Sequence, residues 1–135
     1  MADHKQVVRT FLDALGEHDE DAMKPLVSSD VRWWPPPSVA SRANLDRPIV
    51  GWSAVPWLGG GATRAFRPGT TKLTYHHVLE DGDLVSVHMT RESVGSNGRP
   101  YENEYNWLLR FEDGLIAEVW EVLDTAHAFS ILDPS

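Results

Sequence analysis

The hydrophobic period of this chain changes once, and that change limits the folds open to it. Before about residue 60, apolar residues recur at helical spacing or fall in irregular runs; from Thr70 onward they recur at every second position. Two Asp-Gly pairs punctuate the second half. Asp81-Gly82 separates alternating runs at 72–80 and 84–94, and Asp113-Gly114 separates runs at 101–111 and 115–124. Asp-Gly between two alternating runs is a hairpin turn. Helices followed by an antiparallel meander give an α+β domain. The 135 residues suit one domain, 1–135, with no visible repeat or linker.

In the first half, Val7, Val8, Phe11, Leu12 and Leu15 predict a helix over 3–15, with Asp3 and Gln6 spaced as a capping box and Gly16 as the stop. Asp19 caps a second helix running through Ala22, Met23, Leu26 and Val27, which Pro25 kinks or shortens. Trp33-Trp34-Pro35-Pro36-Pro37 is extended, and residues 38–50 form an irregular excursion. Ser53 caps a short helix through Val55 and Trp57, ended by Gly59-Gly60-Gly61. Asp124 caps a last helix through Ala126, Ala128 and Phe129.

The net charge of −8 argues against nucleic acid and anionic membranes as partners, since both need basic surface. With no cysteine, thiolate metal sites, disulfides and a Cys nucleophile are excluded. The start carries no apolar signal segment, and no apolar run could span a bilayer, so the expected location is cytoplasmic. His76-His77 is not read as a metal motif, because adjacent strand residues face opposite ways. Gly59-Gly60-Gly61 lacks the Lys-Ser/Thr of a phosphate loop, and there is no Gly-x-Ser-x-Gly elbow.

Alternation assigns the sheet faces. In 115–124 one row is Ala117, Val119, Glu121 and Leu123, and the other is Ile116, Glu118, Trp120 and Val122. Glu121 is then a carboxylate in an apolar row. If that row lines a closed interior, the carboxylate is desolvated and becomes a candidate acid or base. The matching rows are Val85, Val87, Met89 and Arg91, and Asn103, Tyr105, Trp107, Leu109 and Phe111. Arg91 suits a developing oxyanion, and Tyr105 and Asn103 suit substrate orientation. One of His76 and His77 points inward; His77, sharing a face with Tyr75, is the one assigned as a proton shuttle. Phe11, Trp34, Trp57 and Trp107 are read as pocket walls, with Tyr75, Met89 and Val119 beside them. Such a site takes a small hydrophobic molecule.

The segments VVRTFLDAL, HDEDAM, DGDLVSVH (81–88) and LRFEDGLIAEVWEVLD (109–124) resemble the SnoaL-like group of the nuclear transport factor 2-like superfamily, over nearly the whole chain. The resemblance implies a cone-shaped barrel in which a curved antiparallel sheet wraps around the N-terminal helices. It also implies homodimers paired through the outer sheet face, here Leu108, Ile116, Trp120 and Val122. In the cyclases and in limonene epoxide hydrolase an acidic residue on the last strand does the acid/base work, which carries over to Glu121. The steroid isomerase positions are Phe11, Trp34 and Trp107 here, and the epoxide hydrolase Arg/Asp pair is Met89 and Arg91, so neither of those mechanisms carries over. The expected function is acid/base catalysis without a cofactor (isomerase, cyclase, dehydratase or hydrolase type) on a small oxygenated hydrophobic molecule. The alternatives are a non-catalytic binding protein and an interaction protein whose tryptophans fill the cavity.

Overall fold

The computed structural model describes residues 3–60 and 64–132. Helix α1 (His4–Gly16) starts where Asp3 accepts a hydrogen bond from the Lys5 amide at 3.1 Å. Gln6 does not complete a capping box; its amide donates to Thr10 instead. The apolar stripe of α1, including Val8, Phe11, Leu12 and Leu15, is buried against the sheet. Asp19 caps α2 (Glu20–Met23) by accepting from the Ala22 amide. At Pro25 the helix tightens into a short 3-10 turn (Lys24–Leu26). Val27 is therefore not helical: it opens strand β1 (Val27–Trp34).

Residues 38–50 also hold regular structure. Pro36 is extended as expected (φ −54°, ψ 141°), but Pro37 is not. Pro37 is the first residue of α3 (Pro37–Ala43), where a fixed φ and a missing N–H cost nothing. Asn44 closes the helix in the left-handed region. Strand β2 (Ile49–Val50) and a 3-10 helix (Trp52–Gly60) follow. The expected stop at Gly59-Gly60-Gly61 lies partly outside the described residues.

The meander is as expected: β3 (Lys72–Asp81), β4 (Leu84–Val94), β5 (Pro100–Glu112) and β6 (Leu115–Leu123). Both residues of the Asp113-Gly114 turn take positive φ, the backbone a tight hairpin requires. The six strands form one curved, unclosed sheet in the order β2-β1-β6-β5-β4-β3, antiparallel except where β1 runs parallel to β6. Helix α4 (Thr125–Leu132) follows, capped by the Asp124 carboxylate on the His127 amide at 3.0 Å. None of the described helices is long and apolar enough to cross a membrane.

Two bulges change which side chains share a face. In β3, Tyr75 pairs with Met89 and His77 with His88, so His76 is an extra residue. Both histidines consequently lie on the outer face, and His77 does not point inward as expected. In β6, Arg110 pairs with Glu118 and Phe111 with Ile116, leaving Ala117 extra. Ile116, expected on the outer face, is turned inward and fully buried.

Candidate active site

Glu121 is buried, 7% exposed, at the wall of a cavity of about 470 Å³. The cavity is lined by β1 (Trp33), the inner faces of β5 and β6 (Tyr101, Tyr105, Glu121), α3 (Val39, Arg42), α4 (Ala128, Phe129) and Phe66. Its size is that of a small-molecule site. The parallel pairing of β1 with β6 sets Trp33 opposite Val119 and on the same face as Glu121. The Trp33 indole N–H donates to Glu121 Oε1 at 3.1 Å. Oε2 accepts no hydrogen bond among the described residues.

Burial pushes the Glu121 pKa up to about 7, against the opposing pulls of the Trp33 hydrogen bond and the Arg91 charge. Desolvation wins because neither of those is a contact ion pair: among the described residues Glu121 makes none. Arg91 is fully buried. Its Nε donates to Ser93 at 3.0 Å, its Nη2 donates to Thr71 at 3.2 Å, and its guanidinium stacks 3.9 Å from the Phe66 ring centre. Phe66 lines the cavity and Arg91 does not, so Arg91 acts on the site through its field and not as the direct oxyanion partner expected.

Two phenols face Glu121's cavity. Tyr101 and Tyr105 share a hydroxyl–hydroxyl hydrogen bond of 2.8 Å, and Asn103 Nδ2 donates to the Tyr101 oxygen at 2.9 Å and to the Asp124 carbonyl at 2.9 Å. With Asn103 occupying one lone pair of Tyr101, either direction of the shared bond leaves one phenolic O–H to donate elsewhere. Burial raises the pKa of Tyr101, and that of Tyr105 by more, so both stay protonated.

The structure thus brings Glu121, Tyr105 and Trp57 to the cavity, with Asn103 supporting it. Phe11, Met89, Trp107 and Val119 belong to the close-packed core and do not line the cavity. Tyr75 instead ties β3 to α1, its hydroxyl donating to Asp13 at 2.6 Å. Trp34 is on the outer face, its indole donating to Glu118 at 2.6 Å; strand parity makes Trp33 the inward tryptophan. His77 meets His88 on the outer face. Sequence reasoning missed Trp33, Tyr101, Arg42 and Phe129. Tyr101 shares the parity of Asn103 and Tyr105 and was available from that row. Arg42, stacked 3.9 Å over the Phe129 ring, bridges two helices and has no sequence signal.

The SnoaL-like domain matches residues 8–119. No curated protein matches the chain. Among solved structures, a nuclear transport factor 2-like protein of unknown function from Burkholderia pseudomallei K96243 superposes with a TM-score of 0.83 at 23% identity, covering 99% of this chain and 100% of that one. TerC, co-crystallised with polyporic acid, gives a TM-score of 0.79 at 17% identity over 96% of this chain and 97% of its own. IdmH from Streptomyces antibioticus, a candidate polyketide cyclase, gives 0.76 at 22% identity over 95% and 97%. At these identities the likeness speaks for the fold alone. The match over residues 8–119 places the chain in the SnoaL-like family.

Proposed function

We propose that this protein is an acid–base enzyme acting on a small hydrophobic molecule that carries a carbonyl or similar oxygen, with Glu121 moving the proton. The observation that supports this most is the state of Glu121. It is a carboxyl group at a cavity wall with a pKa of about 7, one oxygen fixed by Trp33 and the other without a hydrogen bond among the described residues. A group that titrates near the working pH is an efficient base in one half-reaction and an efficient acid in the next.

In the proposed step, ionised Glu121 takes a proton from the carbon beside the carbonyl. The C–H electron pair becomes a C=C bond, and the carbonyl oxygen becomes an enolate. The free phenolic O–H of the Tyr101–Tyr105 pair donates to that oxygen. Neutral Glu121 then returns the proton. Return to a different carbon is isomerisation. Attack of the enolate carbon on a second carbonyl, followed by protonation of the new alkoxide, is cyclisation. Loss of a β-hydroxyl with that proton, as water, is dehydration. No cofactor enters these steps. Proteins of this fold include a candidate polyketide cyclase, which suits this range of chemistry without choosing within it.

The test is hydrogen–deuterium exchange in D₂O, read by NMR on a panel of aromatic and alicyclic ketones. Those ketones that raise the Tm should exchange their α-protons with wild type, with Glu121→Gln losing the exchange and Tyr105→Phe slowing it about tenfold or more. Exchange that survives Glu121→Gln removes Glu121 from the mechanism. Ligand-raised Tm in both proteins without exchange in either favours the binding-protein alternative. Pairing of two copies through the outer sheet face is part of the proposal. Leu79 and Val122 are more than half exposed there, and light scattering after gel filtration tests it.

A further inference from the structure

We infer that Asn103 is a positioning residue for the oxyanion donor: it holds Tyr101 as a hydrogen-bond acceptor, so that the Tyr101–Tyr105 pair keeps an O–H for the substrate oxygen, and it ties that donor to the first turn of α4. This deepens the proposed reaction and rests on it for the nature of that oxygen, a ketone carbonyl. It does not rest on Glu121 as the base. Tyr101, Asn103 and Tyr105 alternate along β5, and all three are buried on its inner face. The orientation of the Asn103 amide is fixed by its neighbour. The Asp124 carbonyl can only accept, and it lies 2.9 Å from the amide nitrogen, so the NH₂ group and not the amide oxygen stands there. The other N–H of the same nitrogen reaches the Tyr101 oxygen at 2.9 Å.

A count of protons shows what this does. Each phenol has one proton to give. One proton serves the 2.8 Å contact between the two hydroxyls, and the other goes to an acceptor beyond the pair. Asn103 draws on neither, because it donates. A side chain at this position that only accepts would change the count. Tyr101 would give its proton to that side chain, and Tyr105 would be shared between Tyr101 and the substrate. Two protons would then face three acceptors. Arg91 stands directly across from Asn103 on β4, and its charge keeps a carboxylate at this position ionised and accepting. An apolar side chain would keep the count but lose polarisation, since a hydroxyl that accepts a hydrogen bond donates more strongly through its own O–H.

The same amide registers the donor against the cavity wall. The Asp124 carbonyl that receives Asn103 also accepts the Ala128 amide at 3.1 Å, the first turn of α4. On that turn His127 stacks its ring on Tyr101, centre to centre at 6.2 Å, and meets the Glu102 carbonyl at 2.9 Å. Helix α4 then lines the cavity with Ala128, Phe129 and Leu132. One side chain therefore sets the phenol pair and the helix over it in a common frame. Asn103 does not itself line the cavity, so it acts on the substrate through Tyr101.

The test is NMR of the full chain with carbonyl-¹³C acetophenone, whose carbonyl carbon moves downfield when its oxygen accepts a hydrogen bond. The signal needs no proton transfer, so it stands whether or not Glu121 proves to be the base. Wild type should show the downfield shift. Asn103→Leu should reduce it and weaken binding about fivefold. Asn103→Asp should nearly abolish it and weaken binding about tenfold or more. In a Tyr101→Phe background, Asn103→Leu should have no further effect, because Asn103 acts through Tyr101. The wild type carries a second reading that needs no buried substitution: the Asn103 side-chain N–H facing Tyr101 should shift as the ketone binds, since the chain strengthens as a unit. A wild-type carbonyl shift in Asn103→Asp, an equal effect of Asn103→Leu with and without Tyr101, or an Asn103 amide unmoved by bound ketone overturns the inference. Bound ketone with no carbonyl shift in wild type removes the phenol donor, and this inference with it.

Discussion

Glu118 and Glu121 stand three residues apart on β6, one on each face of the sheet, and each accepts a hydrogen bond from an indole on β1. Trp34 serves Glu118 at 2.6 Å and Trp33 serves Glu121 at 3.1 Å. Both carboxylates are nearly buried, at 8% and 7% exposed. What separates them is charge. Glu118 also accepts from Arg110 Nε at 3.2 Å, a salt bridge at the sheet surface. Glu121 has no ion pair among the described residues; Arg91, the buried cation whose charge it feels, donates to Ser93 and Thr71. At Glu121 one hydrogen bond does not offset burial of the charge. The same strand and the same donor type therefore carry an ion-paired carboxylate outside and, inside, one with no ion pair among the described residues.

Removing the charge on each side of the strand should have the largest effect. Glu121→Gln should lower kcat roughly 10³-fold, within the range for a lost general base, while Glu118→Gln should leave kcat within a few-fold of wild type. The wild-type rate should rise with pH through about 7 as Glu121 ionises, and steady-state rates from pH 5 to 9 check both. Equal losses in the two variants would end the distinction. The next largest effect is on stability. The folded-state pKa of Glu121 is raised from 4.5 to about 7, so the native state holds the proton more tightly than the unfolded chain. The associated stability is fully present below about pH 4.5 and is lost as pH rises through about 7. Glu121→Gln keeps an acceptor for Trp33 without the charge. It should be more stable than wild type by up to about 3 kcal/mol at pH 9, and by little at pH 4. Urea melts at the two pH values measure this.

The inward placement of Glu121 was legible in the sequence, and the β1 indoles that bond Glu121 and Glu118 were not. Alternation in β5, and in β6 beyond Ala117, with a clear Asp-Gly turn sufficed to set Glu121, Tyr105 and Trp107 inward, and the SnoaL-like resemblance was legible in the same segments. Strand β1 was hidden because Val27 continues the helical spacing of Met23 and Leu26, and only Pro25 hints at the break. Without β1, the choice between Trp33 and Trp34 could not be made, since it depends on the parallel pairing to β6. The bulges at His76 and Ala117 were illegible for a deeper reason. A bulge shifts parity by one residue, and local composition does not mark it when neither residue is glycine. Those two slips moved His77 out and Ile116 in. Helix α3 was masked by three prolines that read as extended until one of them is seen to sit at a helix start.

The tryptophans give a finer version of the comparison. Trp33→Phe removes the bond that holds the Glu121 pKa down, so the rising limb of the rate profile should move to higher pH, with a stability loss of about 1 kcal/mol. Trp34→Phe should leave that limb in place. A limb that moves equally in both would mean the shift comes from general loosening of β1 and not from the Glu121 bond.

The smallest effect expected is the stability change in Glu118→Gln. The amide oxygen of the substituted side chain can still accept from Trp34, so what is lost is the charge facing Arg110, which is about one third exposed and also bonded to Glu112 at 3.3 Å. Solvent screens such a pair, and a second carboxylate remains to it, so the loss should be under about 1 kcal/mol and should shrink in 1 M salt. Chemical denaturation at low and high salt checks this. A loss of several kcal/mol that salt does not reduce would show that Glu118 behaves as a buried charge like Glu121. Arg110 would then not be what distinguishes the two sides of the strand.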